Sequence, residues 1–239
     1  MIIKTKIVVP RRKPDLLVRP RLIDLFFDLL DNQLLLVNAP AGYGKTSLLI
    51  EMAHQLEMPV CWLSVDSSSR NLTQFLDYFI ASIEQMFPNS LTQARTILEN
   101  TVANLDLDQL VAVIVNEIYD KIQEYVTIII DDYHLLDNNS EISYFFNQFT
   151  QNVSENCHTV ISSRTLPLLP DLTLMKSRSQ VAEIQLEDLA FTKAELQALA
   201  QQSYGATVSE AEAETLVQTS EGWITGLMLS ARTKWAGVV

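Results

Sequence analysis

Cysteine and histidine are scarce in this sequence, which has 2 cysteines and 3 histidines among its 239 residues. Cys61 and Cys157 lie in apolar runs without a C-x-x-C partner, so their expected role is that of small buried hydrophobic residues. The histidines are scattered without the spacing of metal ligands, at His54, His134 and His158. These features argue against a metal site built from protein side chains alone.

Long apolar runs and basic residues are also lacking. No run reaches the ~18 uninterrupted apolar residues of a membrane span. The chain starts with MIIKTKIVVPRRKP, in which charge and proline interrupt the apolar core that a signal peptide needs. The formal net charge is -12, whereas DNA affinity depends on cations that neutralise phosphates. We therefore expect a cytoplasmic chain that binds neither membrane nor DNA.

The basic residues concentrate in an N-terminal arm, residues 1–21, where seven cations accompany one anion, Asp15. The arm is either a solvated segment that packs on the acidic body or a functional segment, and the two interpretations have equal weight. The chain as a whole is 48% hydrophobic. This is enough for one large α/β domain with a small appendage.

Residues 33–49, QLLLVNAPAGYGKTSLL, combine an apolar strand, a short glycine-bearing loop and the start of a helix. This is the setting of a Walker A phosphate loop, in which consecutive backbone N–H groups point at a polyphosphate. Gly42 and Gly44 supply the unusual backbone angles that such a loop requires. The first motif position is Ala39 and not glycine, so the loop entry must use ordinary angles.

The residues of this loop have distinct predicted roles. Lys45 is expected to contact the β- and γ-phosphates of ATP or ADP, and the Thr46 hydroxyl to bind Mg²⁺. The N-terminus of the following helix adds a partial positive charge. The predicted nucleotide-binding residues of the loop are Ala39, Pro40, Ala41, Gly42, Tyr43, Gly44, Lys45, Thr46 and Ser47.

A second chemical landmark is YVTIIIDD, residues 125–132, a β-branched run that ends in two acids. We expect a buried parallel strand with Walker B chemistry, in which Asp131 binds Mg²⁺ through water and Asp132 polarises an attacking water. Arg164 follows a third core strand and faces the same crevice. It is either a sensor of the γ-phosphate or a plain surface arginine. The predicted catalytic residues are Lys45, Asp131, Asp132 and Arg164.

Strands and helices alternate up to about residue 190, which predicts an α/β P-loop NTPase fold with a central parallel sheet of five strands in the order 5-1-4-3-2. The predicted strands cover residues 34–37, 59–65, 125–132, 157–163 and 181–186. The predicted helices before residue 190 cover residues 21–30, 46–56, 72–87, 91–100, 107–123 and 141–151. Residues 67–71 and 166–170 are expected to be loops.

The pattern of residues 191–239 is helical only, so we predict a nucleotide-binding domain at 1–190 and a helical subdomain, the lid, at 191–239. Two capping boxes mark helix starts in the lid, Thr192 with Glu195 and Ser209 with Glu212. A third helix is predicted from Gly222, and it carries Trp223, Leu227, Leu229 and Trp235 toward the C-terminus.

Seven stretches of the chain resemble the N-terminal half of the large ATP-binding LuxR-type transcriptional regulators. This maltose-activator-like group belongs to the signal-transducing ATPases with numerous domains (STAND), which also include the NB-ARC proteins. The stretches occur in the family's order and span nearly the whole chain. They are T-K-x-x-x-P before residues 17–22 (LVRPRL), A-P-A-G-Y-G-K-T at 39–46, W-L-S-V-D at 62–66, I-D-D-Y-H-L at 130–135, S-R-x-L-P at 163–167, L-x-F-T-x-x-E at 189–195 and E-G-W-x-x-G-L at 221–227.

The resemblance implies a molecular switch that ADP keeps closed and that an inducer with ATP opens into an oligomer. By the same resemblance, Leu17, Val18 and Arg19 would line the adenine pocket, and Arg164 would be the sensor. Residues 222–224 (G-W-I) would replace a Gly-x-Pro motif whose proline packs on adenine. Trp223 and Ile224 are therefore predicted cofactor contacts, with Ile224 in place of the proline.

In such regulators a winged helix, an inducer-sensing helical array and a DNA-binding helix-turn-helix follow the nucleotide domain. We therefore read the chain as an N-terminal fragment or truncated form of a longer regulator, whose DNA-binding domain lies elsewhere. Two alternatives stay open: a freestanding P-loop ATPase or kinase, and a nucleotide-dependent scaffold without hydrolysis. A GTPase is disfavoured because the sequence has no N-K-x-D motif.

Overall fold

The computed structural model describes residues 2–100 and 105–228. The last predicted helix begins within this range, since residues 224–228 are helical. Leu229 and Trp235, which we placed on the same helix, lie outside the described residues.

A central parallel sheet organises the chain. Its strands are β1 (Leu34–Asn38), β2 (Val60–Ser64), β3 (Val126–Asp131), β4 (Cys157–Ser163) and β5 (Val181–Ile184). All neighbouring strands pair in parallel, in the order β2-β3-β4-β1-β5. This is the predicted order 5-1-4-3-2 read from the opposite edge, so the predicted fold class is confirmed.

Helices connect and cover the strands at nearly all of the predicted places. Besides the helical residues 224–228, the helices of the described residues are α1 (Pro20–Leu30), α2 (Lys45–Gln55), α3 (Leu72–Met86), α4 (Thr92–Asn100), α5 (Leu107–Lys121), α6 (Ser140–Asn152), α7 (Leu172–Ser177), α8 (Leu186–Leu189), α9 (Lys193–Tyr204) and α10 (Glu210–Ser220). Short 3-10 helices cover Lys4–Lys6, Ser67–Arg70 and Tyr133–Leu135.

Three local differences from the sequence prediction have simple causes. Residues 67–71, expected to be a loop, contain the 3-10 helix Ser67–Arg70. The loop at 166–170 leads into the short helix α7, whose six residues are too few to show a helical period. The last strand ends at Ile184 because the Gln185 and Asp188 side chains form a capping box that starts α8.

Hydrophobic side chains on both faces of the sheet form two large clusters. In β3, Ile128 and Ile130 belong to one cluster and Ile129 to the other, because successive side chains of a strand point to opposite faces. The cluster with Ile128 includes the aromatic rings of α3 and α6. The other cluster includes Trp62 and packs under α1 and α2. A sheet buried on both faces explains why the strands are almost continuously apolar.

The described part of the lid has a small core of its own. Its buried residues are Phe191, Leu196, Leu199, Ala200, Val208, Ala213 and Leu227. Both predicted capping boxes are present, Thr192 with Glu195 at α9 and Ser209 with Glu212 at α10. The boundary at residue 190 stays a prediction.

The aromatic cluster between α3 and α6 generates a stability prediction. Phe79 is 0% exposed, and its ring centroid lies 5.5 Å from that of Phe145 and 5.0 Å from that of Phe149. Phe79→Ala should lower the free energy of unfolding by about 3–5 kcal/mol, because it removes buried surface and leaves a cavity. Urea denaturation followed by circular dichroism measures this loss.

Tyr119→Ala is the matched control for that measurement, since Tyr119 is an aromatic residue that is 67% exposed. Its free energy of unfolding should change by no more than ~0.5 kcal/mol. Equal losses in the two variants would contradict the assignment of the α3–α6 cluster to the hydrophobic core.

Candidate functional site

The loop between β1 and α2 lies at the carboxyl edge of the sheet, where parallel α/β folds place their ligands. The N–H of Ala39 donates a hydrogen bond of 3.3 Å to the Ser163 carbonyl, which holds the loop entry against β4. Ala39 is not among the described residues with positive φ, whereas Gly42 has φ +87° and Gly44 has φ +85°. The backbone therefore bends where the glycines stand, as the sequence predicts.

Lys45 is the first residue of α2, and its side chain folds back over the loop. Its ammonium donates hydrogen bonds of 2.6 Å to the Ala39 carbonyl and 3.0 Å to the Pro40 carbonyl. Burial lowers the pKa of Lys45, and the negative charge of Asp132 opposes this shift. An ammonium has three hydrogens, so one remains for an oxygen of a ligand in the loop.

Asp131 at the end of β3 meets Thr46 at the start of α2. The Thr46 hydroxyl lies 2.9 Å from Asp131 Oδ2 and 3.1 Å from Oδ1. On the other side, the Ser162 hydroxyl donates to Asp131 Oδ1. Burial raises the pKa of the Asp131 carboxyl, while the hydrogen bonds from Ser162 and Thr46 and the charge of Lys45 work against that rise. The structure thus unites the two residues predicted to hold a metal.

Ser162 is a site residue that the sequence analysis missed. Besides its bond to Asp131, its Oγ accepts a 3.0 Å hydrogen bond from the Asp132 N–H. This bond fixes the turn after β3, where Asp132 adopts left-handed angles with φ +63°. A hydroxyl inside an apolar strand is a signal in the sequence, but its partner is known only once β3 and β4 are known to be neighbours.

Asp132, His134 and Arg164 lie together beyond the strand ends. His134 Nδ1 is 3.8 Å from Asp132 Oδ1. Burial lowers the pKa of His134, the charge of Asp132 raises it, and those of Arg164 and Lys45 lower it further. Arg164 is exposed and directly follows β4, and its positive charge also lowers the pKa of Lys45. All four predicted catalytic residues therefore lie at one edge of the sheet.

A cavity of about 360 Å³ opens beside the loop. The arm, α1, α2, the loop and the lid all contribute to its wall. The lining residues are Lys13, Asp15, Leu16, Leu17, Arg19, Leu22, Ile23, Gly42, Gly44, Ser47, Leu48, Glu51, Phe191, Leu199, Ile224, Thr225 and Met228. Three predicted contacts of a nucleotide base, Leu17, Arg19 and Ile224, are among them.

Val18 and Trp223 were also expected to contact the base, but neither lines this cavity. Val18 is 37% exposed, whereas the residues on either side of it, Leu17 and Arg19, line the cavity. Trp223 is 38% exposed and its indole turns to the loop backbone. Its Nε1–H donates a 2.9 Å hydrogen bond to the Ala41 carbonyl.

Two arginines of the arm bind the beginning of the lid. Arg19 and Arg21 each donate to the Glu195 carboxylate and to the Ala190 carbonyl. Burial alone raises the pKa of Glu195, but the hydrogen bonds from Arg19 and Arg21 outweigh it and hold that pKa below its ordinary value. The Arg19 guanidinium also lies 4.2 Å from the centroid of the Phe191 ring.

Other cations of the arm pair with acids of the body. Arg12 binds Glu51 of α2, and Lys6 binds Asp66 after β2. These contacts support the interpretation of the arm as a segment that packs on the acidic body. Among the residues that the structure describes, no group of three or more His, Cys, Asp or Glu side chains could hold a metal. Within the same ranges, no helix has both the length and the apolar character of a membrane span.

The five-stranded parallel sheet with its flanking helices has the fold of P-loop NTPases. The Walker-type ATPase PABY2304 of Pyrococcus abyssi superimposes on it with a TM-score of 0.54 and 15% sequence identity, over 90% of this chain and 67% of that one. A likeness at this identity concerns the fold. No protein-family model matches the chain.

Two bacterial transcriptional regulators are similar to this chain in sequence. The HTH-type transcriptional regulator MalT of Yersinia pestis (strain Pestoides F) and that of Yersinia enterocolitica (strain NCTC 13174 / 8081) are each 28% identical to it over 235 residues. Both matches cover 97% of this chain and 25% of the relative. The chain thus spans about a quarter of these regulators, and its predicted resemblance to a regulator's nucleotide-binding region is confirmed.

The buried Asp131 carboxylate generates a prediction about stability. Folding raises the pKa of the Asp131 carboxyl, so the protonated carboxyl favours the folded state and the ionised carboxylate opposes it. The stabilisation is fully present below the unfolded pKa of ~4 and is lost as the pH rises through the folded pKa. At pH 7, Asp131→Asn should leave the free energy of unfolding unchanged or raise it. Chemical denaturation of the variant and the wild type tests this.

The exposed Asp28 in α1 provides a control, Asp28→Asn, with the same change in net charge. A loss of more than about 2 kcal/mol in Asp131→Asn alone would assign Asp131 a structural role, because losing a buried hydrogen-bond acceptor costs roughly this amount.

Proposed function

We propose that this chain is the ATP- and ADP-binding switch module of a multidomain transcriptional regulator, with slow ATP hydrolysis and nucleotide-controlled self-association of the full-length protein. One observation carries the proposal. The glycine-bent loop, the Lys45 ammonium and the Thr46–Asp131 pair lie together at the carboxyl edge of the sheet, next to the cavity of about 360 Å³.

The loop supplies what a polyphosphate needs. Lys45 keeps one ammonium hydrogen for a phosphate oxygen while the Ala39 and Pro40 carbonyls hold its other two. The N-terminus of α2 presents backbone N–H groups at the same place. Residues 39–47 are therefore the proposed phosphate site.

The same edge suits Mg²⁺, which prefers oxygen ligands and retains several waters. The Thr46 hydroxyl and the Asp131 carboxylate are adjacent oxygen donors, and no third side chain is required because phosphate oxygens and water complete the shell. Bound Mg²⁺ would neutralise part of the phosphate charge. Asp131 and Thr46 would hold it, and Ser162 would keep the Asp131 carboxylate in place.

The cavity is the proposed base site. Ligand pockets measure ~300–1,000 Å³, so a volume of about 360 Å³ suits one purine ring with part of its sugar. Leu17 and Ile23 supply apolar surface from one side, and Phe191 and Ile224 supply it from the lid. Ile224 thus provides apolar contact where a proline is expected in the resembling family.

Beyond the strand ends, we propose that Asp132 orients the attacking water and that Arg164 senses the γ-phosphate. Asp132 is suited to this because its side chain is 38% exposed and its backbone is fixed by Ser162. A module of this kind reports on the bound nucleotide only while that nucleotide persists, so turnover is expected to be slow.

The proposal of a larger regulator rests on the relatives of this chain. These relatives are HTH-type transcriptional regulators, and the net charge of -12 disfavours DNA binding by this module. We therefore assign DNA binding to another part of such a protein. Regulation of transcription also places the proposed site of action in the cytoplasm.

Removal of the Lys45 ammonium tests the phosphate site. Lys45→Ala should weaken ATP and ADP binding by a factor of at least ~30, because a charge-assisted contact in a partly desolvated site is lost. Isothermal titration calorimetry measures both affinities. Lys193→Ala removes an exposed lysine that pairs with Glu214 within the lid, and this control should bind nucleotide normally. Unchanged affinity in Lys45→Ala would reject the proposed phosphate site.

Steady-state phosphate release separates the switch from the alternatives. We expect fewer than ~1 ATP per second, below the range of typical kinases. Turnover of many ATP per second would favour the freestanding ATPase or kinase. If calorimetry detects neither ATP nor ADP binding, a module that has lost hydrolysis and only scaffolds its partners is favoured.

A further inference from the structure

Two residues of the lid bind carbonyls of the phosphate loop directly. The Trp223 indole N–H donates to Ala41 O at 2.9 Å. The Thr225 hydroxyl and the Thr225 backbone N–H both donate to Gly42 O, at 3.2 Å and 3.3 Å. The carbonyls of two consecutive loop residues are therefore held by one short segment of the lid.

The geometry of the peptide bond gives these contacts a consequence inside the loop. A peptide unit is planar and trans, so its C=O and the N–H that follows point in opposite directions. A bond from Trp223 to Ala41 O consequently turns the Gly42 N–H away from the lid. In the same way, the bonds from Thr225 to Gly42 O turn the Tyr43 N–H away from it.

These two N–H groups are without a protein acceptor. Within the described residues, neither Gly42 N nor Tyr43 N donates a hydrogen bond to the backbone or to a side chain. Oriented donors without a partner are uncommon in folded proteins. Successive backbone N–H groups that point the same way form a concave site for an anion.

The close approach of the lid also explains why position 42 is glycine. A Cβ atom on Gly42 would lie 2.3 Å from Trp223 Nε1 and 2.6 Å from Thr225 Oγ1. A Cβ atom on Gly44 would have no neighbouring atom within 4 Å, so only the positive φ of Gly44 requires glycine at that position. Glycine is therefore required at position 42 for two reasons: it allows the left-handed backbone angle of the loop, and its lack of a Cβ atom leaves room for the lid.

The Trp223 ring is itself held in place. A Cβ atom on Gly226 would lie 2.4 Å from Trp223 Cε3, so the ring packs directly on the backbone of the next helical turn. Gly222, with φ +68°, turns the chain just before Trp223, and its carbonyl accepts a 3.0 Å hydrogen bond from the Phe191 N–H. The backbone around Trp223 thus holds the indole whose N–H donates to Ala41.

We propose that Trp223 and Thr225 are positioning residues for phosphate binding, which orient the Gly42 and Tyr43 N–H groups toward the phosphates of a bound nucleotide. This inference rests on the proposed function of the loop. Linkage requires the effect to be mutual. A phosphate that holds the two N–H groups inward also keeps the two carbonyls outward, and so favours the docked lid.

Conservative substitutions at the two positions test the proposal. Trp223→Phe keeps an aromatic ring but removes the N–H donor, and Thr225→Val keeps the backbone N–H but removes the hydroxyl. Calorimetry would give the dissociation constants of each single variant and of the double variant for ADP and for adenosine, which has no phosphate. The double variant should bind ADP ~10-fold or more weakly, because the two N–H groups lose their fixed orientation, and it should bind adenosine as the wild type does.

Thr219→Val is the matched control, because the Thr219 hydroxyl is exposed and donates to Thr215 O within α10. It should leave both dissociation constants unchanged. An equal loss of ADP and adenosine affinity in the double variant would overturn the proposal and show that Trp223 and Thr225 only support the wall of the cavity. Unchanged ADP affinity would overturn it as well.

The wild-type titrations distinguish this failure from that of the proposed function. If wild-type protein binds ADP and the double variant binds it equally well, the positioning role is wrong and the phosphate loop stands. If wild-type protein binds neither ADP nor ATP, the proposed function fails, and the positioning role fails with it.

Discussion

Parallel pairing of β1, β4 and β3 is the constraint on which the site depends. The pairing brings the ends of three strands from distant parts of the chain to one edge of the sheet. It places the loop after β1 beside Asp131 of β3, with Ser162 of β4 in contact with that carboxylate. Main-chain hydrogen bonds thus determine the distances between side chains that lie far apart in the sequence.

This arrangement buries charged groups, which is unfavourable by itself. Burial lowers the pKa of Lys45 and raises that of Asp131, so both ionised groups are less stable here than in water. Their mutual attraction and the surrounding hydroxyl and carbonyl groups offset part of this cost. A bound polyphosphate with Mg²⁺ would bring charges of both signs to the same place.

Directed polar contacts join the lid to the rest of the chain, beside the apolar contact of Leu17 with the small lid cluster. Arg19 and Arg21 bind Glu195 on one side, and Trp223 and Thr225 bind loop carbonyls on the other. The apolar residues of the lid form a separate small cluster. Polar contacts have strict geometric requirements, so the position of the lid and the conformation of the loop depend on one another.

Local patterns in the sequence determined the strands, nearly all of the helices and the glycine-bent loop, because periodicity and backbone angles act over a few residues. They also made Lys45, Thr46 and Asp131 candidate site residues, and the sheet order was predicted from the fold class that these patterns indicate. Only the tertiary structure decided that Ser162 supports Asp131, that Val18 lies outside the cavity and that the Trp223 indole binds Ala41. These contacts depend on the side of its segment to which a residue points and on how Trp223, 182 positions away from Ala41, docks on the loop, and neither can be read from the local sequence.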